Sequence, residues 1–523
     1  MFRDALFRKL VIEHMADDYL ERILRARVYD VASETPLDRA ERLSRRLRAH
    51  IWLKREDMQS VFSFKLRGAY NKIYNLGEEA RAQGIIAASA GNHAQGVALA
   101  SRRLGVGALI VMPKTTPPIK VQTVRSLGAR VILHGDSYDD AYRHALELAG
   151  QGDFSFVHPF DDPDVIAGQG TIAMEVLRQH EDPIDAIYIP VGGGGLIAGM
   201  AAYIKRVRPE IQVIGVEPED TPTLQRALAA GRRVSLKQVG LFADGVAVRQ
   251  IGKETFKLAC KYVDDTVLVT TDEICAAIKD IYDDTRSVAE PAGALAIAGI
   301  KKHAQESSPE GKSLVAILSG ANINFDRLRH VAERAELGEQ REALFAVEIP
   351  ERPGSFLGFC RVLGKRNITE FNYRFADPSR AHVFCGVELS GGVEEKERLH
   401  RKLEEKGFPV VDMSDNETAK LHIRYMVGGH APQIHDEHLF RFVFPERPGA
   451  LLDFLSGLSR GWNISLFHYR NHGSAYGRVL VGIQLEQDEL KAFRNYLKSL
   501  GYRYHEETDN PAYRLFAGAG NWN

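Results

Sequence analysis

The stretch Ala186-Ile187-Tyr188-Ile189-Pro190-Val191-Gly192-Gly193-Gly194-Gly195-Leu196-Ile197 runs from an apolar segment through four glycines into another apolar segment. The uncharged run Ala186–Ile204 is long enough to cross a bilayer, but Pro190 and the glycines at its centre argue against one spanning helix. It predicts a buried strand, a tight turn and a helix. Four glycines can turn successive N–H groups inward as a cradle for phosphate. The pattern is neither a dinucleotide fingerprint nor a Walker loop, since no Lys-Ser/Thr follows. A tight loop without ligand is the alternative.

The same texture extends outward from about Leu53 to Gly320. Buried strands are predicted at Gly84–Ala88, Ala108–Met112, Ala129–Leu133, Ala186–Pro190, Val213–Val216 and Leu314–Leu318. Between them Ala94–Leu104, Asp139–Ala149 and Asp272–Tyr282 place apolar residues at helical spacing. Continuous apolar strands alternating with helices predict an α/β region, a parallel sheet covered on both faces.

After about Glu333 the strands alternate apolar and polar residues, and an internal repeat appears. Ala346–Leu357, with Pro350-Glu351-Arg352-Pro353-Gly354, matches Phe442–Leu452, with Pro445-Glu446-Arg447-Pro448-Gly449. Asn367-Ile368-Thr369 and Tyr373-Arg374 match Asn463-Ile464-Ser465 and Tyr469-Arg470. The spacing is 95 residues from Pro353 to Pro448 and 96 from Asn367 to Asn463, so the second copy gains one residue. Each copy reads strand, Pro-Gly turn, helix, strand. The polar segment Met413–Glu437 separates them, and the alternation in Leu421–Met426 predicts a further strand for the first copy. The expected domains are 1–335, built of two α/β subdomains, then 344–415 and 438–512, both α+β.

Composition narrows the function. In 523 residues, 44% are hydrophobic and 26% charged, ordinary for a soluble globular chain. Lys plus Arg is 68 against 69 Asp plus Glu, a net charge of −1. That balance gives no electrostatic footprint for nucleic acid or an anionic membrane. Four cysteines (Cys260, Cys275, Cys360, Cys385) with no Cys-x-x-Cys pair predict reduced thiols in the cytoplasm. Asp4, Glu13, Asp17 and Asp18 leave the N-terminus without a signal-peptide core and too acidic for a transit peptide.

Four clusters carry chemistry. In Ser63-Phe64-Lys65-Leu66-Arg67-Gly68-Ala69, Lys65 is either a surface lysine with a buried stem or a desolvated amine nucleophile. Ser89-Ala90-Gly91-Asn92-His93 follows a strand and opens a helix, where backbone N–H groups suit a carboxylate; an ordinary cap at Ser89 is the alternative. The glycine run is the third. Ser319-Gly320-Ala321-Asn322 ends a strand, where open α/β sheets place their ligand crevice; a plain strand-end turn is the alternative.

Together with Glu290-Pro291-Ala292-Gly293-Ala294, these clusters resemble the fold-type II pyridoxal-phosphate enzymes, the tryptophan synthase β-like group. Within it the chain resembles the biosynthetic threonine deaminases, through Ser63–Tyr70, Ser89–Val97, Ile166–Thr171, Val191–Leu196, Gly240–Val248 and Ser319–Phe325. The paired C-terminal copies resemble that family's ACT-like regulatory domains, so the likeness spans nearly the whole chain.

The resemblance implies a pyridoxal 5'-phosphate enzyme that eliminates water and ammonia from L-threonine to give 2-oxobutanoate. By it, Lys65 carries the cofactor and then removes the Cα proton, and Phe64 packs near the ring. Asn92 bonds the phenolic oxygen, Gly192, Gly193, Gly194 and Gly195 hold the phosphate, and Ser319 faces the ring nitrogen. Ser89, Gly91, Asn92 and His93 hold the substrate carboxylate, His93 through its backbone more than its ring. Glu290 receives no role. Relatives that bind a divalent cation use acidic residues downstream of Glu217; Thr221 and Thr223 interrupt that pattern, so no required metal is expected. The resemblance further implies feedback by isoleucine, opposition by valine, and a homotetramer. Pro353-Gly354, Pro448-Gly449, Asn372-Tyr373 and His468-Tyr469 mark the expected effector pockets. The rivals are serine dehydration or racemisation, β-replacement, and a non-catalytic amino-acid sensor.

Overall fold

The computed structural model describes residues 19–152, 154–350, 380–425, 436–445, 463–470, 476–486 and 488–516, with 359, 362–364, 366 and 368–373. The chain divides into two units, 1–324 and 325–523. Among the described residues the first holds ten strands: β1 Leu37–Arg39, β2 His50–Arg55, β3 Ile85–Ala88, β4 Ala108–Met112, β5 Arg130–Leu133, β6 Ser155–Phe156, β7 Ala186–Pro190, β8 Gln212–Pro218, β9 Asp265–Val269 and β10 Ser313–Leu318.

They form two sheets, in the orders β1-β2-β10-β7-β8-β9 and β5-β4-β3-β6. Among these described strands only β1 runs antiparallel, against β2; the other strand pairings are parallel. Parallel strands demand crossovers, and helices supply them, so β3, β4 and β7 are buried at every residue. The chain enters the larger sheet, builds the smaller one, and returns. That excursion sets the C-terminal ends of β3, β6, β7 and β10 around one crevice.

Local signals fix the helices. Asp162 caps the helix Pro163–Gln179 by accepting from Asp164 and Val165 N–H, with Pro163 in its first turn. Thr270 and Glu273 form a capping box for Thr271–Thr285. The helix Lys65–Asn75 lies backbone-to-backbone on Pro163–Gln179: a Cβ on Gly168 would stand 2.7 Å from the Cα of Gly68. No helix among the described residues is long and apolar enough to cross a membrane; Gly195–Val207 is a separate helix after β7.

The second unit contains two antiparallel sheets. β11 Glu342–Pro350, β12 Ile368–Tyr373, β13 Arg380–Glu388 and β14 Val410–Asp412 lie in the order β12-β13-β11-β14. β15 Glu437–Pro445, β16 Asn463–Arg470, β17 Tyr476–Gln484 and β18 Arg503–Glu506 repeat it as β16-β17-β15-β18. Even the irregularity is repeated, between Ile368 and Glu370 in one copy and Ile464 and Leu466 in the other.

The strand expected at Leu421–Met426 is not there. Glu417–Leu421 is a helix and Ile423–Tyr425 a 3₁₀ turn. The Asn416 side chain caps the helix through Ala419 N–H, Ala419 and Ile423 pack against the first sheet, and Leu421 is buried. A local cap outweighed a short alternation that fits either structure. Pro353-Gly354, Pro448-Gly449, Cys360 and the acidic N-terminus lie outside the described residues, as do the side chains of Asn372, Tyr373, His468 and Tyr469.

Candidate active site

Lys65 opens its helix two residues after Ser63, whose backbone bridges Gly320 just past the end of β10. Phe64 N–H donates to the Ser319 carbonyl at 3.3 Å, which ties the lysine to that strand end. The Lys65 Nζ donates to the Pro159 carbonyl at 3.0 Å and stands 5.3 Å from the centre of the Phe64 ring. Burial pulls the amine down to about 8, against the opposing pull of Glu290. An amine in that range is partly neutral at physiological pH, as a nucleophile or base must be.

The glycine loop follows β7. A Cβ on Gly193 would fall 2.2 Å from the Phe160 ring, so only glycine fits. The Gly192 carbonyl accepts from Thr223 Oγ1 at 3.1 Å and the Gly193 carbonyl from Thr255 Oγ1 at 2.7 Å. Among the described residues the N–H groups of Gly192, Gly193 and Gly194 find no acceptor in the protein, although Gly193 and Gly194 are buried. Buried donors without acceptors suit an anion, so the loop fits the phosphate of the expected cofactor.

Phe64, Lys65, Asn92, the four glycines and Ser319 line one cavity, together with Phe160, Val246 and Glu290. Ser89 and Gly91 stand beside it, the Gly91 N–H donating to Ser89 Oγ at 3.3 Å. Asn92 begins the helix Asn92–Leu104, whose first-turn N–H groups have no intrahelical acceptor. The His93 ring turns the other way: its Nε2 lies 3.0 Å from the Val157 carbonyl, buried. Burial and the nearby Lys65 hold that imidazole down at about 3, so it stays neutral. Only the His93 backbone remains for an anion.

Two features escaped the sequence reading. The loop 157–162 is a hub: Val157 meets His93, Pro159 meets Lys65, Phe160 backs the glycine loop, and Asp161 accepts from the N–H groups of Lys253, Glu254 and Thr255. The His158 Nδ1 accepts from Asp161 N–H at 2.8 Å, and burial depresses its pKa to about 4. The aromatic-Asp run Phe160-Asp161-Asp162 before Pro163 was its one legible signal. Arg67, two residues past Lys65, is the second. It donates to both carboxylate oxygens of Glu56 at 2.8 Å and to Glu175 at 2.6 and 3.0 Å, with Lys54 2.6 Å from Glu175.

Among the described residues no group of three or more His, Cys, Asp and Glu is placed to hold a metal ion. Glu217 is engaged otherwise, accepting from Thr223 Oγ1 and from Leu224 and Gln225 N–H.

Residues 28–320 match the family of pyridoxal-phosphate dependent enzymes, and 333–423 and 428–517 each match the C-terminal regulatory domain of threonine dehydratase. The L-threonine dehydratase biosynthetic IlvA of Burkholderia multivorans is 58% identical over 95% of this chain and 99% of its own. That of Escherichia coli is 56% identical over 95% and 97%, and the mitochondrial threonine dehydratase of Saccharomyces cerevisiae 50% over 95% and 89%. Among solved structures, the processed threonine deaminase isoform 2 of Solanum lycopersicum aligns with TM-score 0.60 and 52% identity over 61% of this chain and 92% of that one. The serine racemase of Dictyostelium discoideum aligns with TM-score 0.55 and 32% identity over 58% and 99%. A catalytic part and two regulatory copies, matched in order and over nearly the full length, place the chain in the biosynthetic threonine dehydratase family of pyridoxal-phosphate dependent enzymes.

Proposed function

We propose that the chain converts L-threonine to 2-oxobutanoate and ammonia at the Lys65 cavity, with regulation through its C-terminal half. The observation that carries the catalytic reading is the Lys65 amine, desolvated to about 8 and aimed into a cavity backed by unpartnered glycine N–H groups. Pyridoxal phosphate, when bound there, supplies an aldehyde for the amine and a conjugated ring that takes up the electrons of the Cα–H bond.

The chain's own residues do the rest. Lys65 anchors the cofactor and, once freed, accepts the Cα proton at Nζ, returning to the Pro159 carbonyl. The N–H groups of Gly192–Gly195 hold the phosphate, and Phe160 and Val246 fix that loop from behind. Ser89, Gly91, Asn92 and the His93 backbone hold the threonine carboxylate at a helix N-terminus. Ser319 offers the ring nitrogen a hydroxyl, which cannot keep it protonated as a carboxylate would; that favours β-elimination over transamination. Water leaves from Cβ and one water returns on release, so threonine yields one 2-oxobutanoate and one ammonia.

The catalytic part spans 1–335 and the regulatory copies 344–415 and 438–512; the unit boundary after Asn324 and the two family matches support this division. Isoleucine inhibits and valine opposes it, each by preferring one conformation of the regulatory copies. The enzyme is a cytoplasmic homotetramer. Serine is the competing substrate, favoured by the likeness of the catalytic fold to a serine racemase.

Borohydride reduction of the purified holoenzyme is expected to fix the cofactor to Lys65, read by peptide mass spectrometry. Threonine is expected to give 2-oxobutanoate faster than serine gives pyruvate, and isoleucine to slow it. Attachment elsewhere, or better turnover of serine, overturns the reading.

A further inference from the structure

Asn92 is held from both ends. The Asn322 Nδ2 donates to the Val61 carbonyl at 2.8 Å, and a carbonyl only accepts, so that end of Asn322 must be nitrogen. The same nitrogen lies 2.7 Å from Asn92 Oδ1, which must therefore be oxygen. The other end of the Asn92 amide, Nδ2, donates to Glu290 Oε1 at 2.6 Å. The orientation of Asn92 thus follows from a backbone carbonyl at one end of the chain and a carboxylate at the other, not from choice of amide flip.

Glu290 is well placed for this. It sits at the N-cap of the 16-residue helix Pro291–Glu306, yet its side chain makes no cap bond there. Its own N–H donates to the Gly320 carbonyl at 3.1 Å, fixing its backbone to the loop that carries Ser319. It is buried, lines the cavity, and lies where the helix dipole favours a negative charge. An amide nitrogen has two hydrogens. Glu290 takes one and leaves the other to be donated into the cavity.

We propose that Glu290 is a positioning residue: acting through Asn92, with Asn322 as the opposing hold, it keeps an N–H donor turned toward the cofactor's phenolic oxygen. This rests on the reading of Lys65 and Asn92 as cofactor ligands given above. Glu290 itself moves no proton and touches no substrate.

The test titrates apoenzyme with pyridoxal phosphate and follows the visible absorption of the bound cofactor. E290A is expected to weaken binding roughly tenfold or more, the loss of one charge-assisted hydrogen bond, and to shift the band in the same direction as N92A. E290Q, which keeps an acceptor oxygen, recovers most of it. In an N92A background E290A adds less than about twofold, because its route is already cut. The KM for threonine, set by backbone N–H groups, stays within about twofold in E290Q. Should E290A fail to fold, N322A releases the same amide from the other end and carries the same expectation. Full additivity of E290A and N92A, or an E290A band and affinity equal to those of the parent, overturns the proposal. Borohydride attachment to a residue other than Lys65 in the parent enzyme identifies instead a failure of the underlying reading, and takes this inference with it.

Discussion

The two units bury different things. Among the described residues, the largest fully buried side chains of the catalytic unit are Arg67 and Lys54; those of the regulatory unit are Phe345, Phe359, Phe384, Phe440, Phe442 and Phe493. Hydrogen-bonded charges are directional: Arg67 grips Glu56 from the end of β2 and Glu175 from a neighbouring helix, and so sets the angle of the helix that begins at Lys65. Burial alone would raise the Glu56 pKa, but Arg67 holds it below the usual carboxylate range. Aromatic packing is strong but hardly directional, and can settle in more than one arrangement. A unit that must hold an amine against a reacting carbon benefits from the first. A unit that must answer a ligand benefits from the second.

The largest effect that could break this contrast is at Arg67. Arg67→Ala leaves two buried carboxylates, Glu56 and Glu175, with Lys54 beside them, and is expected to cost about 3–5 kcal/mol. Denaturant unfolding followed through the cofactor's absorption reads it in the catalytic unit alone. A loss below about 1 kcal/mol would mean that the network does not hold the helix.

Phe384→Ala tests the other side. The Phe384 ring meets Phe516 edge-on at 5.6 Å, joining the first regulatory sheet to the helix Pro511–Phe516 that follows the second. A cavity there is expected to destabilise the regulatory unit by about 3 kcal/mol. Turnover at saturating threonine should stay within about twofold while the isoleucine response weakens. Lost turnover with an intact isoleucine response would reverse the assignment of the two units.

Next in size is Gly193→Ala. The added methyl meets the Phe160 ring, and overpacking costs about 1–3 kcal/mol, read as roughly five- to 150-fold weaker binding of pyridoxal phosphate. Phe160→Leu in the same chain should recover part of the loss. No recovery would show that the glycine is needed on its cofactor side instead.

Much of this was legible in sequence because burial on both faces leaves a strong signature. Ala108–Met112 and Ala186–Pro190 are strands over the residues expected, and the other four expected strands lie within one or two residues, whereas β1, β2, β6 and β9 were not foreseen. The repeat near Pro353 and Pro448 announced two sheets of identical strand order. The cavity was legible because Lys65, Asn92, the glycines and Ser319 each follow a recognisable strand end or helix start. The rest depends on contacts far apart in the chain. Nothing near Glu290 indicates Asn92, 198 residues away, and nothing near Arg67 indicates Glu175, 108 residues away. Short alternation failed at Leu421–Met426 because a cap at Asn416, not the period, decided the backbone.

The smallest expected effect is the control that the contrast requires. If depth, rather than charge as such, makes the Arg67 network matter, exposed pairs in the same unit should matter little. Lys120 pairs with Asp244 at 3.1 Å and Arg249 with Asp139 at 3.1 Å, each joining the lobe of β3–β6 to the segment before the helix Lys253–Tyr262. Both pairs have at least one partner well exposed to water, so each is worth about 0.2–1 kcal/mol and is screened by salt. Asp244→Asn should therefore raise the KM for threonine no more than about fivefold, and 0.5 M salt, about five times the ionic strength at which the screening length is 10 Å, should raise the parent's KM similarly. The two treatments combined should do no more than salt alone, which already screens both pairs. A loss as large as that of Arg67→Ala would show that the rim, too, sets the geometry of the site.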